Sequence, residues 1–299
     1  MALLDVLLEL SLVVLSMIVV ATGVSVGLRP LARSLLDARR RIDAIAPYLF
    51  VLLVVLGLRR LALTYGPSFS WLIDINLTPL IYEFEGAAVA RLQTLASPLV
   101  TDYFMASYLY GYAFLLLFPF VAYFALEETD HLRELVVADL FNYAVGLFFY
   151  VLFIAYGPRN LGISEPLLYN IRPESQLLTS EVNRNVNVFP SLHTSLSVTV
   201  AALAYRTRDE YPYWAVAAAV VALSVTVSTM YLAIHWITDV VAGAVLGIAA
   251  YYAGVKSPAI SGRDVLAWVD EHTRWGERWR RLRGWLAAVR RRDLSGSRE

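Results

Sequence analysis

The sequence predicts an all-α membrane protein, a helical transmembrane bundle that crosses the bilayer six or seven times. Three observations carry that reading. Of the 299 residues, 58% are hydrophobic and only 17% charged, where a soluble domain is nearer about half and a quarter. The mean hydropathy is +0.57. The apolar residues also fall in long runs, and a run of about 18 or more is enough to cross a hydrocarbon core roughly 30 Å thick. The formal net charge is zero, so no global field draws the chain to nucleic acid, and none is expected as a partner. Cysteine is absent, which excludes disulfides and thiolate metal sites.

The runs place seven spans at roughly 4–27, 45–63, 103–126, 134–156, 190–206, 213–231 and 235–254. The first opens with Asp5 and Glu9 rather than a basic leader, so it reads as a retained helix and not a cleaved signal. Between spans two and three, the segment 64–102 contains Tyr65-Gly66-Pro67 and an amphipathic stretch near 77–95, expected at the membrane interface. Between spans four and five, 157–189 is polar and rich in turn residues. The tail from 256 combines arginines with Trp268, Trp275, Trp279 and Trp285. It fits an amphipathic helix on a membrane surface or, equally, a solvated charged tail. Three units follow: N-terminal transmembrane helices with an interfacial segment (1–102), a helical core (103–255) and an Arg/Trp-rich cytoplasmic tail (256–299).

Basic residues orient the bundle, because Lys and Arg collect on the cytoplasmic side. With the N-terminus outside, the inside segments 28–44, 127–133, 205–212 and 256–299 hold 19 basic residues. The outside segments 64–102 and 157–189 hold four. This puts the C-terminus in the cytoplasm and the starts of spans five and seven on the extracytoplasmic side of the cell membrane.

Two of the four histidines lie at those starts. His131, in an acidic loop, and His272, in the tail, read as solvated surface residues. His193 lies in Phe189-Pro190-Ser191-Leu192-His193-Thr194-Ser195, and His235 in Ser228-Thr229-Met230-Tyr231-Leu232-Ala233-Ile234-His235-Trp236-Ile237-Thr238-Asp239. His235 and Asp239 are four apart, which on a helix is one face. A carboxylate there fixes the imidazole tautomer and leaves the other nitrogen free to attack; a pair that only ties two helices together is the plainer alternative. Pro190 and Ser191 suit a helix start, where free N–H groups and a partial positive charge favour phosphate. His193, within that first turn, is placed to act as a general acid.

Taken together, Pro-Ser-x-His followed about 34 residues later by Ser-x6-His-x3-Asp resembles the second and third signature motifs of the type 2 phosphatidic acid phosphatase superfamily. The segments Phe189–Ser195 and Ser228–His235 resemble the inositol phosphorylceramide synthase branch most closely. The resemblance covers roughly 134–254. It implies metal-independent phosphoryl transfer on a lipid phosphate or phospholipid, with no cofactor. His235 would form a phosphohistidine, Asp239 would orient it, and His193 would protonate the leaving group. Ser191 with nearby backbone N–H groups would hold phosphate oxygens.

Two departures bear on the cations. The family's third motif has arginine where this chain has Thr229, and its first motif, Lys-x6-Arg-Pro, reads Glu165 to Arg172-Pro173 here. Arg172, then Arg159 in Tyr156-Gly157-Pro158-Arg159, then Arg184 are the candidates to replace them, since guanidinium grips phosphate bidentately. A lipid phosphatase leads, and a phosphotransferase that passes the phospho-headgroup to a polyol acceptor is the alternative. A zinc site built from two histidines and one aspartate and an ion pathway are the other classes weighed.

Overall fold

The computed structural model describes residues 3–176 and 188–272. Among them the regular structure is helical, and the one β-type contact is a single parallel bridge between Asn76 and Ile154. Among the described residues, six helical stretches are long and apolar enough to span a membrane: Leu3–Val26, Ala38–Ala62, Pro98–Ala125, Asp130–Leu152, Pro212–Tyr231 and Ile237–Val255. The chain is an integral membrane protein built as a helical bundle.

Helix α1 (Leu3–Ala21) runs on through a π turn to Val26, and Gly27, at φ 82°, breaks it. The short α2 (Leu28–Leu36) leads into α3 (Ala38–Ile73). Sequence places the end of this span at 63, yet the helix continues through Pro67 to Ile73. Contact with a neighbour explains the extension. Gly66 lies against Val151, and the Ser70 hydroxyl donates to the carbonyls of Gly66 (3.0 Å) and Val151 (2.8 Å). These contacts offset the backbone bond that Pro67 removes. Asp74, at φ 60°, then ends the helix.

The stretch expected at the interface forms two short helices, α4 (Thr78–Glu85) and α5 (Ala88–Leu92). One side is buried in the protein through Ile81 and Val89, while Leu80 and Phe84 point outward. Next come α6 (Pro98–Ala106), a π turn and α7 (Tyr112–Ala125), together one span, and then α8 (Asp130–Leu152). A loop carrying the short α9 (Leu167–Ile171) leads toward α10 (Leu192–Arg206), followed by α11 (Pro212–Tyr231), α12 (Ile237–Val255) and α13 (Gly262–His272).

Expected span five is α10, and at 15 residues it is shorter than the roughly 20 that a crossing needs. It is the centre of the bundle, packed by α7, α8, α11 and α12. Its approach to α12 depends on glycine. A Cβ at Gly243 would meet the Ser191 carbonyl and one at Gly247 the Ser195 carbonyl, while Thr199 donates to the Gly247 carbonyl at 3.0 Å. Small residues let membrane helices touch backbone to backbone. Toward α8, Asn142 donates to Thr199 (2.9 Å) and accepts from Ser195. At the bundle end away from these motifs, Arg206 grips Glu134 at 3.0 and 3.1 Å. His131 also lies 3.0 Å from Glu134 and is half-buried, so it is not the solvated residue its acidic loop suggests. Tail helix α13 keeps Trp268 exposed and joins α3 through Arg263 and Asp43 at 3.1 Å. Trp275, Trp279 and Trp285 lie outside the described residues.

Candidate active site

The first constraint on the site is the turn between α11 and α12. The Thr229 carbonyl accepts from both Ile234 N (2.9 Å) and His235 N (3.1 Å), and Ala233 adopts a left-handed backbone, φ 58°. This folds the chain back so that His235 precedes α12 rather than joining it. The proximity of His235 and Asp239 is therefore not the one-face spacing of a helix. Asp239 occupies the third position of α12, and its Oδ2 accepts from Trp236 N at 2.9 Å, a helix-start cap. The same carboxylate oxygen lies 3.4 Å from His235 Nδ1.

Burial sharpens the pair. His235 and Asp239 are fully buried, and no well-formed hydrogen bond reaches the imidazole nitrogens or Asp239 Oδ1. The backbone of Val188 also lies beside the ring. Buried polar atoms left unmatched cost about 1–3 kcal/mol each, and native structures keep them where they serve a purpose.

Ser191 caps α10. Its hydroxyl accepts from Thr194 N (3.3 Å) and Thr194 Oγ1 (3.1 Å), and its N–H donates to the Asp239 carbonyl at 3.0 Å. That last bond ties the starts of α10 and α12 together and brings His193 over His235, with ring centroids 5.8 Å apart. Tyr108 (4.9 Å, stacked) and Tyr112 (4.4 Å) hold the His193 ring.

The three arginines separate. Gly157 fits against the Ile234 carbonyl where a Cβ would not, Tyr156 O accepts from the Trp236 indole at 2.8 Å, and Arg159 N donates to Ala233 O at 3.2 Å. The loop is thus laid directly on the histidine turn. The Arg159 guanidinium sits over the Tyr169 ring at 4.8 Å, within electrostatic range of both histidines. Arg172 instead reaches Glu9 of α1 and Tyr110 OH, both at 3.0 Å. Arg184 lies outside the described residues. Glu165, at the family's lysine position, is clamped through its backbone by the Gln93 amide at 2.9 Å on both sides. Thr229 is fully buried and turns its hydroxyl back to the Thr226 carbonyl, 2.8 Å.

Sequence reasoning missed Glu85. Its carboxylate accepts from Ile237 N at 2.9 Å and from Thr238 N, at the first turn of α12. No local signal marks it, because its partners lie about 150 residues away. Among the described residues, no three His, Cys, Asp or Glu side chains converge as a metal site would require.

Comparison with known proteins places the chain in a family. An uncharacterized protein of Methanocaldococcus jannaschii is 27% identical over 162 residues, spanning 51% of this chain and 60% of that protein. No solved structure matches the chain. The model of the PAP2 superfamily, the type 2 phosphatidic acid phosphatases, matches residues 82–253, from α4 through α12 and across every motif in the site. On that match over more than half its length, the chain belongs to the PAP2 superfamily, a family of phosphatase-type enzymes.

Proposed function

We propose that this protein is a membrane-embedded lipid phosphatase that works by double displacement through a phosphohistidine on His235. The observation that carries the reading is the buried His235 Nδ1 at 3.4 Å from Asp239, with the His193 ring alongside. A carboxylate beside Nδ1 favours the proton on that nitrogen and leaves the Nε2 lone pair free. In the first step Nε2 attacks phosphorus and the bond to the lipid oxygen breaks, while protonated His193 gives that oxygen its proton. In the second step water attacks the phosphohistidine, His193 takes the water proton, and phosphate leaves with His235 restored. The N–H groups at the start of α10 and Arg159 stabilise the charge on the equatorial oxygens. Arg159 is the loop cation we assign to phosphate, since it lies beside the histidine turn while Arg172 is engaged by Glu9.

A second reading has its own support. Full burial of His235 beneath the 154–159 loop and the α4–α5 layer favours an acceptor other than bulk water. In that case a polyol hydroxyl replaces water in the second step, as the likeness to the inositol phosphorylceramide synthase branch implies.

The test uses purified protein with phosphate-labelled lipid and EDTA, with and without a polyol. Free phosphate regardless of polyol is the result expected of the phosphatase. Label on the polyol, with little free phosphate, selects the transferase instead. Loss of turnover on chelation would sink the metal-independent mechanism. His235→Ala is expected to lower kcat by roughly 10³-fold or more while the protein stays folded. A fully active variant would remove His235 as the nucleophile.

A further inference from the structure

The family pattern calls for a cation that Thr229 does not supply, and α3, outside the matched stretch 82–253, carries an arginine at the right height. Leu52, Arg59, Gly66 and Ser70 recur at intervals of seven, seven and four, one stripe along the helix. Leu52 is buried, Gly66 abuts Val151, and Ser70 bonds the Val151 carbonyl. This stripe therefore faces α8. The two helices run parallel: Arg41, near the start of α3, bonds the Phe124 and Leu126 carbonyls just before α8, and Ser70 meets α8 near its end. Arg59 lies seven residues before Gly66, so it is level with about position 144 of α8. One half-turn on, Gly146 is pressed against Leu192, the neighbour of His193, so closely that a Cβ would overlap it.

Arg59 thus stands at the depth of His193. It lies within electrostatic range of His193, Tyr112, Tyr143 and Tyr150, on three different helices. It is half-buried, whereas Arg60 beside it is exposed on another face. A charged side chain within a span costs about 2.5–3.5 kcal/mol, and such residues mark functional positions by default.

We propose that Arg59 is a second phosphate-binding cation, at the level of His193, and that it and Arg159 together select a lipid phosphomonoester over a phosphodiester. The proposal rests on the phosphoryl-transfer reading above. A monoester carries about −1.5 to −2 at neutral pH, a diester about −1. A second guanidinium therefore adds most where the second negative charge is present.

The experiment measures kcat and KM for one lipid phosphomonoester and one phosphodiester in wild type, Arg59→Gln, Arg59→Lys and Arg60→Gln. No turnover of either substrate by the wild type would defeat the phosphoryl-transfer reading itself and with it this one. Given an active wild type, Arg59→Gln is expected to lose roughly tenfold or more in monoester kcat/KM. Diester kcat/KM should fall by a clearly smaller factor, Arg59→Lys should recover part of the monoester loss, and Arg60→Gln should match wild type. A monoester kcat/KM unchanged in Arg59→Gln overturns the assignment. Equal loss on both substrates, with a lower Tm and no rescue by lysine, overturns it too, because that marks a structural arginine. If Arg59→Gln does not fold, competition by inorganic phosphate decides. A several-fold weaker inhibition constant in Arg59→Lys supports the assignment, and an unchanged one overturns it.

Discussion

At Ala233 the backbone adopts a conformation that L-residues visit at a cost of roughly 1–2 kcal/mol. Its carbonyl receives the Arg159 N–H, and two residues on stands His235. The strained residue thus couples the loop that carries Arg159 to the turn that carries His235, the proposed nucleophile, and strain of this kind gathers at functional sites. A branched side chain fits a positive φ worse than alanine. We expect Ala233→Val to lower stability by about 1–2 kcal/mol and to reduce kcat, with Ala233→Gly retaining the fold. Thermal unfolding and turnover, measured on the same detergent preparation, check both. His193, His235, Asp239 and Ser191 were legible in sequence because short, local spacing holds them. Even so, helical spacing gave the correct neighbour for His235 through an arrangement that is in fact a cap. Arg59 was not legible. Two adjacent arginines at the end of a span look alike until α8 distinguishes their faces.

Among the elements, α10 and α12 are the pair on which the site's geometry depends, since one carries His193 and the other Asp239. Their separation is set by Gly243 and Gly247 meeting the carbonyls of Ser191 and Ser195. A larger residue has to part the helices. We expect Gly247→Leu to cost about 2–3 kcal/mol or more and to abolish turnover, read as loss of a monodisperse peak in gel filtration or a depressed Tm. Wild-type stability in that variant would show that the helices can separate without consequence. The α4–α5 layer reaches the same helix start through Glu85, where a carboxylate beside free N–H groups is favoured by the helix dipole. Sequence located most of the long apolar helices to within a few residues, though α3 begins at Ala38 rather than near 45. It missed the ten extra residues of α3 and the inward packing of α4 and α5, because both depend on partners far along the chain: Val151 for the first, Trp236 and its neighbours for the second.

For the molecule as a whole, the placing of basic residues predicts an orientation, and the chain itself offers a clean assay. With no native cysteine, single cysteines at the exposed Asn160 and Glu210 report on opposite ends of the bundle. We expect a membrane-impermeant thiol reagent to label Asn160→Cys in intact cells and to leave Glu210→Cys untouched until the membrane is opened. The reverse pattern would invert the topology. The helical class, the bundle and the family were all within reach of the sequence, since hydropathy and two motifs carry them. The relative heights of the helices were not, because they are fixed by side-chain contacts between spans.

Those heights bear on how the enzyme meets its bilayer. Beyond Gly146, which touches the residue next to His193, α8 continues six residues to Leu152, about 9 Å. Beyond Arg59, α3 continues fourteen residues to Ile73, about 21 Å. The histidines therefore lie below the ends of α3 and α8, and on the proposed function a lipid phosphate would have to reach down to them. How far it reaches would depend on where the surrounding lipids place their own headgroups, so the proposed function makes membrane thickness a control on turnover. In vesicles of graded acyl length, kcat/KM is expected to peak at one thickness and fall on either side, with the thicker membranes holding substrate furthest from His235.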